Sequence, residues 1–275
     1  ATINTAREIG VSHIGAVAPG YTADMVLTKD IHTMWADAVF YDGKLVAEHG
    51  KLTVEIEDRE YEMETRNSMN AGNVSLDDFI VKAPVENGTV KVHVMEYHDL
   101  LQSMTRCAVE ELEVKDNKVV LGEGMAFVAV INRHGKGTKA LGIVKNFGSS
   151  EGAIASTVSH DSHNLTIVYF KPEDALAAAK ELIAKGGGMT AVKDGVVLNT
   201  LRLEVGGLMT RLNAEELTKE AARMKEVERG LGLTAQENPL LRIVSLALPV
   251  IPDVIMSDLG LVSVAEQKII PLFTS

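Results

Sequence analysis

Two clusters of polar residues stand where apolar runs stop, and there this chain could do chemistry. One is Ser159-His160-Asp161-Ser162-His163-Asn164, between the apolar runs Ala153–Val158 and Leu165–Phe170. The other is Arg133-His134-Gly135, one residue past the apolar run Ala126–Ile131. Two imidazoles in His-x-x-His spacing with an Asp between them are donor types that can hold a metal ion. The same groups at a strand end can instead satisfy one another and the backbone. Arg133 and His134 could lie beside the histidine cluster, or could form a plain surface turn. Six polar residues in a row between strand-like runs belong at a loop or sheet end, where their side chains find water or partners.

Other features carry less chemistry. Gly186-Gly187-Gly188 has the composition of a phosphate cradle, but such loops precede a helix and this one follows it, so a C-cap and turn is the better reading. Met104, Met125, Met189, Met209 and Met224 read as core filler. Cys107 has no neighbouring activating motif and reads as buried or incidental.

The elements that must position the clusters follow from periodicity. Ala126–Ile131 is apolar on both faces and belongs at the centre of a sheet. Leu141–Val144, Ala153–Val158 and Leu165–Phe170 are further strands. Val90, Val92 and Val94 alternate with Lys91, His93 and Met95, the pattern of a half-buried strand. Hairpins are expected at Asp42-Gly43, at Lys115–Lys118 and at Lys193-Asp194-Gly195. A short helix closes at Gly10. Ser75 caps a helical turn that ends before Pro84. Glu173–Lys185 places Leu176, Ala179 and Ile183 on one face. Asn213–Arg229 places Leu217, Ala221, Met224 and Val227 on one face, with Asn213 and Glu216 as a capping box and Gly230 as its stop. Residues 56–73 are charged and irregular. The result is an α+β chain whose second part is a mixed or antiparallel sheet with helices packed on it.

The 275 residues suffice for one large domain or two ordinary ones. A composition of 46% hydrophobic and 24% charged residues is that of a soluble globular protein. The net charge of −11 argues against nucleic acid and anionic membranes as partners. A single cysteine rules out an internal disulfide and fits a reducing, cytoplasmic compartment. No apolar run reaches the roughly 18 residues of a membrane span. The chain opens on Ala1 without a signal-peptide pattern, which reads as a boundary inside a longer protein.

Ala1-Thr2-Ile3-Asn4-Thr5-Ala6, then Gly15–Val26, then Val39–Val46 resemble, in order and spacing, the end of amidohydrolase-superfamily chains. There the last barrel helix is followed by returning strands of a small β-sandwich. Further on, Arg133-His134-Gly135 with Gly137-Thr138, Gly142–Gly148, Gly152–Asn164, Gly186–Gly188, Gly206–Met209 and Leu246–Pro252 resemble the C-terminal domain of the adenine deaminase family. The resemblance implies three segments: 1–57, the last barrel helix and a partial sandwich; 58–84, a linker and short helix; and 85–275, the C-terminal α+β domain. It implies an enzyme that hydrolyses adenine to hypoxanthine and ammonia with manganese or iron held in its barrel. None of the barrel's ligand motifs occurs here, so no catalytic residue and no metal are expected in this chain, and alone it is expected to be inactive. Its partners would be the N-terminal barrel segment of the same enzyme, or an oligomer mate, and the purine. The resemblance also adds a reading of the polar loop: Arg133, His134, His160, Asp161, Ser162, His163 and Asn164 would face the barrel mouth and help cover the base. The alternatives are a non-catalytic interaction or oligomerisation domain, and an independent metallohydrolase using His160, Asp161 and His163.

Overall fold

A computed structural model describes residues 2–57, 67–98 and 104–274. The charged stretch 58–66, read above as part of a linker, lies outside the described residues. The chain divides into two compact units, Ala1–Glu60 and Tyr61–Ser275.

The first unit holds a short helix, α1 (Ile3–Glu8), and an antiparallel sheet of β1 (Met25–Thr28), β2 (Ala36–Tyr41), β3 (Lys44–Glu48) and β4 (Lys51–Leu52) in that order. Asp42 and Gly43 both take positive φ, 47° and 76°, and close the expected two-residue hairpin. Asp24 accepts the Asp42 amide at 2.8 Å and fixes that turn. Only Ala6 and Ala38 are buried among the unit's described residues, whereas Ile31, Trp35 and Leu52 are 75%, 68% and 62% exposed.

The second unit is built on a ten-stranded sheet. Its strands are β5 (Gly88–Tyr97), β6 (Thr105–Lys115), β7 (Lys118–Val119), β8 (Met125–Ile131), β9 (Lys139–Lys145), β10 (Ala153–Ser156), β11 (Leu165–Tyr169), β12 (Gly188–Lys193), β13 (Val196–Arg202) and β17 (Phe273–Thr274). They run β13-β12-β10-β11-β8-β9-β5-β6-β7, with β17 pairing β5. Among the pairings of these described strands only β5–β9, at Met95↔Val144 and Glu96↔Lys145, is parallel. Every residue of β8 is buried, as its two-sided apolar run requires. Phe127, Ala129 and Ile131 face one core, and Ala126, Val128 and Val130 face the other.

Helix α2 (Pro172–Lys185) packs on the first face, and α3 (Ala214–Gly230) lies against β12 and β13 with the second core. A three-stranded sheet, β14 (Val254–Ser257), β15 (Gly260–Ser263) and β16 (Lys268–Ile270), also covers the second core. Gly142 in β9 makes room for it: a Cβ there would come within 2.6 Å of Met256 Sδ. On the first face the 3₁₀ turn Leu76–Phe79, capped by Ser75 and Asp78, delivers Phe79 edge-on to Tyr169, with ring centroids 5.8 Å apart. Such a pair adds roughly 1 kcal/mol to simple burial.

Several expectations need correction. The buried stripe of α2 is Ala175, Ala178, Ala179 and Leu182, so Leu176 and Ile183 flank it. Met95 is buried, because β5 is covered on both faces at its end. Strand β6 begins at Thr105 and pairs with β5 along its length, far beyond a local hairpin with β7. Met104 and Met209 are 52% and 62% exposed and fill no core, unlike Met125, Met189 and Met224. Gly230 is the last helical residue of α3, and the positive φ that turns the chain is at Gly232, 113°. Gly186 caps α2 in the left-handed conformation as expected.

Candidate functional site

The two polar clusters meet. Strand β8 runs antiparallel to β11, with its last backbone pair at Ile131↔Leu165. Past that pair the chains diverge, and side chains take over the contact. Arg133 Nε donates to the His163 carbonyl. His134 Nε2 donates to the Ser162 carbonyl at 2.8 Å, which requires a proton on Nε2. Asn132 Nδ2 and Asn164 Nδ2 both donate to Asp258, each at 3.1 Å. Thr138 donates its hydroxyl to the same carboxylate. Asp258 comes from the tight turn between β14 and β15, so one side chain ties that hairpin to the ends of β8 and β11.

Arg133 is the centre of this cluster and is only 2% exposed. Its Nη1 donates to the Ser68 carbonyl at 3.2 Å and to the Ser68 hydroxyl, and its Nη2 donates to the Gly206 carbonyl at 2.9 Å. All of these acceptors are neutral. Burial pulls the guanidinium below its ordinary range, but an arginine remains charged at any physiological pH. The surface-turn reading of Arg133 is therefore wrong. The guanidinium lies against Gly207, where a Cβ would sit 3.0 Å from Cζ and φ is +72°. Thr157 holds that glycine loop from the other side: its hydroxyl donates to the Gly207 carbonyl at 2.6 Å and accepts the Gly188 amide at 2.8 Å.

The histidine loop is anchored at both ends. The His160 amide donates to the Val244 carbonyl at 3.0 Å, and the His163 amide to the Ser159 carbonyl at 2.7 Å. Ser159 and Thr166 share a hydroxyl bond of 2.8 Å. Asn164 is buried, and His163 is half-buried with φ at 49°. His134, His160, Asp161 and Ser162 are exposed. The His160 and His163 rings meet edge to face, centroids 5.5 Å apart. Burial, then His160 and Arg133 nearby, hold His163 below the usual histidine range, so it is neutral at pH 7. His163 Nδ1 and Asn164 Oδ1 are buried without a hydrogen-bond partner among the described residues.

Among the described residues no three His, Cys, Asp or Glu side chains converge as a metal-binding set. His160 and His163 present ring edge to ring face, and Asp258 already accepts from three donors. The independent metal centre from His160, Asp161 and His163 therefore has no ligand set here. The arrangement instead presents imidazole, carboxylate and hydroxyl groups on a braced loop, suited to hydrogen-bonding a polar ligand. Sequence reasoning singled out neither Ser68 nor Asp258, and it carried Gly206 only as part of the family resemblance. Asp258 stands in the turn between β14 and β15, and nothing local in the sequence shows where its carboxylate goes.

The family described as the adenine deaminase C-terminal domain matches residues 102–268. Adenine deaminase 2 of Carboxydothermus hydrogenoformans is 36% identical over 99% of this chain and 47% of its own length. The adenine deaminase of Moorella thermoacetica is 37% identical over 99% of this chain and 46% of its own. That of Geobacillus kaustophilus is 33% identical over 99% and 47%. The chain thus spans somewhat under half the length of these curated relatives.

Proposed function

Since the chain belongs to the adenine deaminase C-terminal domain family, we propose that it is the C-terminal part of an enzyme that hydrolyses adenine to hypoxanthine and ammonia. What supports this reading is the match to adenine deaminases along 99% of the chain. In it, residues 1–57 are the last barrel helix and part of a small sandwich, and residues 85–275 form the C-terminal α+β domain. The divalent metal, manganese or iron, is held by the portion of the enzyme outside the matched segment. No step of the hydrolysis is assigned to a metal on this chain, whose described side chains offer no ligand set. The acidic charge and single cysteine fit a cytoplasmic enzyme.

The polar loop then serves the substrate. Arg133, His134, His160, Asp161, Ser162, His163 and Asn164 lie at one sheet end, where exposed imidazole, carboxylate and hydroxyl groups can read the nitrogens of a planar base and exclude water. The test is reconstitution. Ammonia release from adenine is measured for this chain alone with manganese or iron, and again after co-expression with the complementary segment of a relative. The isolated chain should be inert and the pair active. Turnover by the isolated chain would overturn the reading.

A purely structural, oligomerising role is the competing reading, favoured by the exposed apolar residues of the first unit. It expects stable association with the complementary segment but no effect of His160→Ala or Asp161→Ala on turnover. The substrate reading expects these variants to raise KM for adenine about tenfold.

A further inference from the structure

Between β8 and β11 the paired residue numbers of the ladder sum to a constant, from Phe127↔Tyr169 to Ile131↔Leu165. Beyond the last pair the same sum persists through side chains. Asn132 is joined to Asn164 through Asp258, Arg133 holds the His163 carbonyl, and His134 holds the Ser162 carbonyl. The register continues for three more rungs after the backbone hydrogen bonds have ended. These rungs run up to the exposed tip at His160 and Asp161, whose backbone is anchored separately on Val244. The middle rung is the buried one. Arg133 alone reaches four acceptor atoms: the carbonyls of Ser68, His163 and Gly206 and the Ser68 hydroxyl.

We propose that Arg133 is a positioning residue. With Asn132 and His134 it extends the β8–β11 register by side chains, so that the 160–161 tip is presented to its ligand in one fixed conformation, as a preformed wall and not as a closing lid. A guanidinium suits the task because its fork can bond carbonyls on three segments at once while the stem packs in the core. Gly207 is then required to be glycine, since any side chain there would displace the fork. This proposal rests on the substrate reading of the loop for its functional consequence, but the rigidity it asserts can be measured without substrate.

The experiment is amide hydrogen exchange on the full 275-residue chain, comparing wild type with Arg133→Lys, Arg133→Gln and His134→Ala. The expected result is exchange at the His160 and His163 amides about tenfold or more faster in Arg133→Gln. Arg133→Lys should lie between, because a point charge cannot reproduce the fork, and the amides of β10 and β12 should not change. Should Arg133→Gln fail to fold, His134→Ala removes the outer rung from an exposed position, and the His163 amide should still exchange faster. Unchanged loop exchange in folded variants would overturn the proposal. The same variants are then assayed for kcat and KM with adenine in the reconstituted enzyme. A loosened loop with unaltered kinetics would leave the positioning role standing and sink the substrate role of the loop. A loosened loop with a raised KM supports both.

Discussion

Glu228 lies in the last turns of α3, fully buried, and neither carboxyl oxygen has a hydrogen-bond partner among the described residues. Burial pushes its pKa up to about 8, so it holds its proton at neutral pH. The unfolded chain would release that proton near 4.5. Between those two values the folded state binds the extra proton, so stability falls as pH rises through the window and levels off above it. The slope is at most about 1.4 kcal/mol per pH unit. Glu228→Gln should remove this component and stabilise the protein at pH 8 by on the order of 2 kcal/mol. Urea midpoints of both proteins at pH 5 and pH 8 check it; parallel pH dependences would refute the assignment. Arg133 is the opposite case, a buried charge that keeps its ionisation because every acceptor around it is placed for it. Gly207→Ala should cost about 1–3 kcal/mol, from the close approach to Cζ and the positive φ together. Thermal unfolding measures that cost, and a neutral result would mean the glycine loop yields without disturbing the guanidinium.

Among the links between the β14–β15 hairpin and the main sheet are one carboxylate, Asp258, and one thioether, Met256, beside the Thr105 hydroxyl that donates to the Val254 carbonyl. Asp258→Ala strands Asn132, Thr138 and Asn164 as donors without an acceptor and should cost about 2–3 kcal/mol. Gly142→Ala drives a methyl into Met256, which is fully buried, and should cost about 1–3 kcal/mol. The two sites differ in reach: Asp258→Ala should also speed exchange in the 159–164 loop, whereas Gly142→Ala should not. These elements also show where sequence reading succeeds. The turns at Asp42-Gly43 and Asp194-Gly195, the Asn213 cap and the two-sided burial of β8 are all local in cause: a positive φ, a capping oxygen, an unbroken apolar run. The meeting of Arg133 and His134 with the histidine loop was one of two readings the sequence left open; it comes about because Arg133 and His134 follow β8 and the loop precedes β11, the strand β8 pairs with. The Asp258 anchor, the Ser68 acceptor and the buried Glu228 were not, since each depends on a partner or an environment far away in sequence. The buried stripe of α2 was displaced for the same reason: alanines pack closest to the sheet, and a helical wheel ranks them below leucine and isoleucine.

At the scale of the whole molecule the two units contrast in burial. The second places apolar residues on both faces of its sheet in two cores. The first, with its four short strands, buries only two alanines among its described residues and leaves Ile31, Trp35 and Leu52 largely exposed. Burying one such side chain contributes roughly 1.5–3 kcal/mol, so a unit that forgoes it has little to offset the entropy of ordering its chain. A small sheet with one uncovered face is marginal alone. The missing cover is the complementary segment of the enzyme, on the reading proposed above. Trp35 is the only tryptophan of the chain and therefore reports directly on the exposed apolar residues of the first unit. In the isolated chain its fluorescence should be red-shifted and readily quenched by iodide or acrylamide, as befits a side chain 68% exposed. On assembly with a complementary segment chosen or engineered to lack tryptophan, emission should shift to the blue and quenching should fall several-fold. Trp35→Ala should weaken that assembly by about 2 kcal/mol or more if Trp35 is buried in it, since a large aromatic is a usual anchor of such contacts. An active assembly in which Trp35 remains as accessible as in the isolated chain would show that the partner binds elsewhere, and that the exposed face of the first unit is not the surface through which the enzyme is completed.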